Sequence, residues 1–512
     1  MLKNKKYFSQ LVVLLSMLFI LSAPLVVAAE VVRLDFLTIN DFHGALVEEG
    51  KTPGTAKLAT IIKTLNKENT KGTIVFSAGD MFQGTVRSNI LYGQPVMEMM
   101  NYLGFSAMTL GNHEFDWGVD AFRARRVEAN FPIVSANITV RATGKKIDFA
   151  DPYAIINKNG VKIGVIGITT PETAYTSSIK VVSQYNFEDP ATIVKRHIPA
   201  VKAKGADIIV VLSHLGCVQD EDGMPTGEIR EFVDNMGEDI EKISGIISGH
   251  THTLVKTTYK GVPIVQALHS GRAVGRITMW YDTDIKAVTE SKVDVVTITP
   301  ADVIPDRKAA KIVDRSAKKA RPIENSIIGN TEKGIDHDRY TVSPLGNWAT
   351  DILKDTFKGD IAFMNGGGLR KPLFPGKVTM GTFYEIFPFD NTVITMELRG
   401  KTIKDILEYG LDNDLGTMQF AGIKVVHNKA LAEGGKIVSI KTLDGKDLEL
   451  DKYYTIVTND FLADGGDGFV QFKSGKNIFN TNVVLREVFI DAVKATDNVT
   501  ADENDDRYKI LN

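Results

Sequence analysis

Five times before residue 253, a short run of branched apolar residues ends in a cluster of Asp, Asn or His. FLTI leads into NDFHG, with Asp41 and His43. IVFSAG leads into Asp80, AMTLG into Asn112 and His113, IIVVLS into His214, and GIISG into His250, Thr251 and His252. Runs of this kind predict buried strands. In an open α/β sheet, ligand sites assemble beyond the carboxyl ends of parallel strands, so parallel pairing brings all five clusters to one rim. The chain has nine histidines and five of them fall in these clusters. Scattered structural use of histidine does not give that concentration.

The surrounding pattern fits the same architecture. RLDFLTI, GTIVFSA, AMTL, VKIGVIGIT, ADIIVVLS, GIISG and VPIVQAL read as strands. Between the first two, TAKLATIIKTLNKE places Leu58, Ile61, Ile62 and Leu65 at helical spacing. We expect a layered α/β domain over residues 30–305, with several strands buried on both faces. At PDRKAAKIVDRSAKKAR the chain becomes highly charged, which predicts a solvated linker helix within 306–327; its positive run reads as a wet face, not a nucleic-acid patch. An α+β domain over 328–512 follows. It contains a helix N-capped by Ser343 with Pro344 at its first position, the helix KTIKDILEYGL, strands VITMELR, GIKVVH and YYTIVT, and glycine-rich loops NGGGLR and ADGGDGF. A length of 512 residues exceeds what one compact core accommodates. With 43% hydrophobic and 24% charged residues, neither disorder nor polymeric nucleic acid as a partner is indicated.

The N-terminus reads as an export signal: MLKNKKYF is basic, LVVLLSMLFILSAPLVV is uncharged, and a small-residue exit follows. We expect cleavage after Ala29 and no stable membrane anchor. Residues 1–29 contain three of the 60 basic residues and no acidic ones, which leaves 57 against 63, a charge of −6. A periplasmic and an extracellular location are equally compatible with this. Cys217 is the one cysteine, so no intramolecular disulfide forms, and it reads as a packed side chain.

Setting His113 apart, the clusters offer two Asp, one Asn and four His. Mixed carboxylate, amide and imidazole donors suit Mn²⁺, Zn²⁺, Co²⁺ or Fe²⁺ better than Ca²⁺. Seven donors exceed the needs of one tetrahedral ion, whereas two ions sharing a bridging carboxylate use them all. Ion pairs of that type, about 3.5–4 Å apart, clamp the attacking and leaving oxygens of an in-line phosphoryl displacement. The ordered series DFHG, GD, GNHEFD, SHLG and GHTH resembles the calcineurin-like metallophosphatases. Together with SPLGNWATD, FPFDN and NDFLADGGDGF, the whole chain resembles the secreted 5'-nucleotidases. The resemblance implies a four-layer α/β/β/α metallophosphatase domain and a substrate-binding C-terminal domain. It implies one metal on Asp41, His43, Asp80 and His252, with Asp80 bridging, and a second completed by Asn112, His214 and His250. It also implies that His113 stabilises the transition state beside the phosphate, that Asp116 orients it, and that Glu114 is structural. A water bridging the two ions would attack phosphorus as hydroxide.

In the second half, Arg370 beside three glycines reads as a phosphate or carboxylate grip. The resemblance implies that Phe420 and Phe461 stack a nucleobase and that Asp467 binds the ribose. It also implies that the second domain rotates, with the helix near 307–321 as the candidate hinge. Arg399 is a further candidate grip, and His269 reads as rim or surface. The expected activity is hydrolysis of nucleoside 5'-phosphates by an exported monomer holding two divalent ions of the Mn, Zn or Co type. The alternatives are a 2',3'-cyclic nucleotide phosphodiesterase or a UDP-sugar hydrolase on the same scaffold, a thiosulfohydrolase, and a nucleotide-binding protein with a dead site.

Overall fold

The strand runs of the first half form two six-stranded sheets. In one, Val31–Ile39, Thr73–Ser77, Ala107–Thr109 and Ile133–Val134 pair in parallel, and the antiparallel strands Ala273–Asp282 and Ala287–Thr297 extend its edge. In the other, Val262–Ala267, Gly245–Gly249, Ile208–Gly216 and Val161–Thr169 are parallel, with an antiparallel strand at each edge. This computed structural model describes residues 31–502 and 505–511; the expected signal at 1–29 lies outside the described residues.

The branched residues of these strands are buried on both faces, and this produces four layers. Phe36, Phe76, Val165, Val210, Leu212 and Ile247 fill the space between the sheets. Leu58 and Ile62, two of the helically spaced residues, cover the first sheet together with Met97, Met100 and Phe122. Ile193, Val194, Phe232 and Val233 cover the second sheet from the opposite side. Packing between the sheets holds their carboxyl edges together at one rim.

The second half is built on a mixed five-stranded sheet ordered Met418–Ala421, Ile361–Asn365, Tyr453–Asn459, Thr392–Arg399 and Lys476–Val484. Helices Pro344–Phe357 and Leu485–Thr496 pack on one face, and helix Gly400–Gly410 packs on the other. The Ser343 hydroxyl caps the first of these by accepting from the Gly346 amide, and Pro344 occupies its first turn.

A helix, Arg307–Glu324, stands between the halves. The expectation that it is solvated holds for one face only. Ala309, Ile312, Ser316 and Ala320 recur at helical spacing and are buried. Their small side chains let the helix lie close on Gly54–Glu68, Val86–Ile90 and Gln94–Leu103, and it also touches Met380–Ile386 of the second half. Ion pairs fasten both ends. Asp306 caps the helix by accepting from the amides of Lys308 and Ala309, and its carboxylate also accepts from Lys63 Nζ at 2.7 Å and the Tyr102 hydroxyl at 2.8 Å. At the other end Arg87 grips Glu324 in a bidentate pair at 2.9–3.1 Å.

Replacing Asp306 with Ala removes a cap worth about 1 kcal/mol and leaves Lys63 and Tyr102 without their acceptor. The expected result is a melting temperature lower by about 2–4 °C, with faster amide exchange in residues 307–312. Asp306→Asn, which keeps the cap, should recover most of the loss.

Candidate metal centre

The seven expected donors sit where the strands end, and five of them stand on backbone that most residue types avoid. Asp41 (φ 50°), His43 (49°), Asp80 (55°), His250 (75°) and His252 (59°) are all left-handed. Each such residue costs about 1–3 kcal/mol and persists only where its surroundings over-determine it. Here neighbouring loops supply the restraint. The Asp41 amide donates to Gly79 O and the His43 amide to Asp80 O, both at 3.0 Å, while Ser270 N donates to Asp41 O at 2.7 Å. Glu114 is the strut between two loops. Its carboxylate accepts from the amides of Asp80 (2.9 Å), Met81 (2.9 Å) and Gly111 (2.7 Å). Burial, with the nearby Asp80 carboxylate adding to it, pushes Glu114 up to about 7 against those three bonds.

The donors converge into two groups, Asp41–His43–His252 and Asp80–His214–His250, with the ligating atoms in each within 4.8 Å of one another. His43 donates Nδ1–H to Gln83 O at 2.9 Å, so its Nε2 holds a lone pair; that atom lies 3.0 Å from His252 Nε2. His214 donates Nδ1–H to Ala78 O at 2.6 Å, and its buried Nε2 makes no well-formed hydrogen bond although Asp80 Oδ2 is 3.1 Å away. Asn112 Oδ1 faces His250 Nδ1 at 3.1 Å. Carboxylate and imidazole donors gathered within 4.8 Å of one another in each group, with His214 Nε2 buried and unpartnered, fit divalent metal ions. Among themselves, the carboxylates and imidazoles hold one another charged. Burial alone raises a carboxyl pKa, yet His252 and His214 hold Asp41 down at about 2. Burial alone lowers an imidazole, yet Asp80 and Asp41 hold His214 up at about 10.

His113 is outside both groups. Its Nδ1–H donates to Asp116 Oδ2 at 2.7 Å and its amide donates to Asp80 Oδ1 at 2.9 Å. Burial disfavours the imidazolium, but Asp116 and Asp80 outweigh it and raise the pKa to about 9, so the ring is a protonated donor at neutral pH. Cys217 is buried, and that burial pushes its thiol up to about 12; it has no nucleophilic character. His269 is not simply a rim residue: its ring stacks on His252 at 5.0 Å.

A cavity of about 670 Å³ joins this rim to the second half. Asp80, Asn112, His113, His250 and His252 line it from one side, and Arg339, Arg370, Phe389, Phe461 and Asp467 from the other. Burial and the neighbouring Arg339 lower Arg370 to about 10, so its guanidinium stays charged at neutral pH. Asp467, also left-handed at 51°, accepts from Asn365 Nδ2 at 2.9 Å, and burial raises it to about 6.

Phe420 is a correction to the sequence expectation. It is fully buried in the core beneath helix Gly400–Gly410 and pairs with Phe363 across the sheet, so no nucleobase reaches it. The aromatic wall opposite Phe461 is instead Phe389, from FPFDN. It stacks on His113 at 5.9 Å, and the Arg370 guanidinium lies 6.0 Å from its centre. FPF lies before strand Thr392–Arg399, outside its register, so Phe387 is buried in the core while Phe389 lines the cavity. Arg399 donates to the Tyr453 hydroxyl at the exposed end of its strand and does not line the cavity; the second guanidinium there is Arg339.

Gly111 needs to be glycine for space. A Cβ there would lie 2.1 Å from Asp80 Oδ1. Gly111→Ala should leave the circular dichroism spectrum unchanged while displacing the Asp80 carboxylate, weakening metal binding by about tenfold or more, as read by metal content after dialysis.

Two family models match the chain: "Calcineurin-like phosphoesterase" over residues 34–254 and "5'-nucleotidase, C-terminal domain" over 324–474. The 5'-nucleotidase of Vibrio cholerae is 28% identical over 513 residues, covering 90% of each chain. Endonuclease YhcR of Bacillus subtilis is 30% identical over 463 residues, which take in 85% of this chain and 37% of that protein, so the chain spans well under half the length of that relative. The structure of a 5'-nucleotidase precursor from Thermus thermophilus superimposes with a TM-score of 0.77 at 28% identity, covering 94% of this chain and 100% of that one. With both models side by side and this donor set at the shared rim, the chain belongs to the calcineurin-like phosphoesterases that carry a 5'-nucleotidase C-terminal domain, a family of metal-dependent hydrolases.

Proposed function

We propose that the protein hydrolyses nucleoside 5'-phosphates to nucleoside and phosphate, using two divalent ions of the Mn, Zn or Co type, and that it acts outside the cytoplasm after loss of residues 1–29. The observation that carries this reading is the single cavity with a metal-type donor set on one wall and paired guanidinium groups, two aromatic rings and a buried carboxylate on the other. No helix among the described residues is long and apolar enough to cross a membrane.

Asp41, His43, Asp80 and His252 would hold one ion, and Asp80, Asn112, His214 and His250 the other. When bound, such a pair supplies Lewis acidity and a nucleophilic water at neutral pH. The reaction forms a bond from a water oxygen to phosphorus and breaks the bond from phosphorus to the 5' oxygen, which leaves with a proton. His113, kept protonated by Asp116, donates toward the equatorial phosphoryl oxygens, where charge develops. Arg370 and Arg339 attract the anion and fix its position. Phe389 and Phe461 offer flat apolar faces to the base, and Asp467 accepts from ribose hydroxyls. Because the two walls belong to different halves of the chain, a domain movement about the helix Arg307–Glu324 opens the cavity to solvent.

Metal-stripped protein should release phosphate from AMP only after Mn²⁺, Zn²⁺ or Co²⁺ is restored, and Asp80→Ala should abolish that release. UDP-glucose, 2',3'-cyclic AMP and bis-p-nitrophenyl phosphate in the same assay distinguish the related activities. Protein holding two metals that turns over none of the four would overturn the reading.

Phe389→Ala should raise KM for AMP about tenfold or more, the worth of one base–aromatic stack, with little change for p-nitrophenyl phosphate. Phe420→Ala should act differently, lowering stability by about 3–5 kcal/mol through a core cavity, without that substrate-selective change in KM.

A further inference from the structure

The histidines of the metal centre are oriented by two different means. His43 and His214 give their outer N–H groups to main-chain carbonyls, Gln83 O and Ala78 O. A carbonyl can only accept, so each ring is fixed with its other nitrogen inward. His250 has no such carbonyl. Its Nε2 faces Glu172 Oε2 at 3.0 Å, and its Nδ1 lies on the Asn112 side at 3.1 Å. Glu172 belongs to PETAYT, which the reaction described above does not use.

We propose that Glu172 is the positioning residue of the second metal site: its carboxylate accepts the Nε2–H of His250 and thereby keeps Nδ1 unprotonated and turned toward Asn112, His214 and Asp80. This rests on the two-metal reading. An ionised carboxylate has acceptors only, so it selects one tautomer as firmly as a main-chain carbonyl does, and a carboxylate behind a ligating histidine also raises its basicity. Glu172 is itself braced. Its amide donates to Thr170 Oγ1 at 3.1 Å, and that hydroxyl donates to Glu228 Oε1 at 2.6 Å. Glu228 accepts the Gly216 amide on its other oxygen at 2.7 Å, just past His214 in the chain. Glu172, Glu228 and His250 place donor atoms within 4.8 Å of one another. With His250 Nε2–H given to Glu172, and Glu228 tied to Thr170 and Gly216, the trio acts as a brace on this reading.

The test is Mn²⁺ titration by calorimetry, with metal content measured in parallel, on chelator-treated wild type, Glu172→Ala and Glu172→Gln. Circular dichroism checks the fold of each. Wild type should take up two equivalents. Glu172→Ala should bind one equivalent normally and the other about 10–100-fold more weakly. Glu172→Gln, whose amide oxygen still accepts from Nε2–H, should fall within a few-fold of wild type. With excess Mn²⁺, Glu172→Ala should regain most of its kcat on AMP, as expected of a residue that acts through a ligand. Two wild-type-like equivalents in Glu172→Ala, or equal weakening of both, would overturn the inference while leaving the two-metal reading intact. Fewer than two equivalents in wild type would overturn both. If Glu172→Ala does not fold, Glu172→Asp, which draws the carboxylate back by one methylene, makes the same test with the same expected direction.

Discussion

Everything at the rim depends on the contact between the carboxyl edges of two separate sheets. His214 comes from one sheet and donates to Ala78 of the other, and the His250 amide donates to the Asp41 carboxylate at 3.1 Å in the same sense. Both lie in the water-poor seam between the sheets, so each would be expensive to leave unmade. They require the two sheets to keep one separation and one angle. The apolar layer between the sheets, with Phe36, Phe76, Val210 and Val265 among its members, enforces both. Position in the core thus becomes position in the site.

That rigidity explains how the rim tolerates its backbone. Five non-glycine donors in left-handed conformations, at about 1–3 kcal/mol each, amount to roughly 5–15 kcal/mol. That is the size of the whole net stability of a typical domain. Loop hydrogen bonds of about 1 kcal/mol apiece do not offset it alone; the buried layers on both sides of each sheet must contribute. Nearby rotations about φ would relax the strain and disperse the donors. A bound cation would oppose that dispersal by drawing the donor atoms together.

What was legible in the sequence follows from how local each signal is. Strands such as ADIIVVLS and the polar residues that end them are adjacent in the chain, and parallel pairing carries them to one edge without further information. The capping of the helix at Ser343 is legible for the same reason. Phe420 and Phe389 were not distinguishable in this way. Each is a phenylalanine near a glycine-rich or proline-containing segment, and which way it faces depends on pairing with distant strands. Phe420 is set opposite Phe363 in a strand whose inner face is covered by helix Gly400–Gly410, whereas Phe389 precedes its strand and is free of that register. The linker helix was misjudged on composition. Its charge dominates any window average, but Ala309, Ile312, Ser316 and Ala320 form a narrow stripe whose small size is what allows close packing.

The two walls of the cavity carry different chemistry. The metal rim concentrates the buried carboxylates of Asp41 and Asp80, while the second half sets Arg339 and Arg370 among aspartates that include Asp414, Asp464 and Asp467. The downward push on Arg370 from its neighbour is the mark of like charges held together. An anion between them relieves it. On the proposed reading, a phosphoryl group would meet both walls at once, with oxygens for the guanidinium donors and for cations at the rim. His113 stands at that junction, bonded to Asp116 within its own half and stacked against Phe389 of the other. The ring assigned to the phosphoryl group on that reading is therefore also a contact between the two halves.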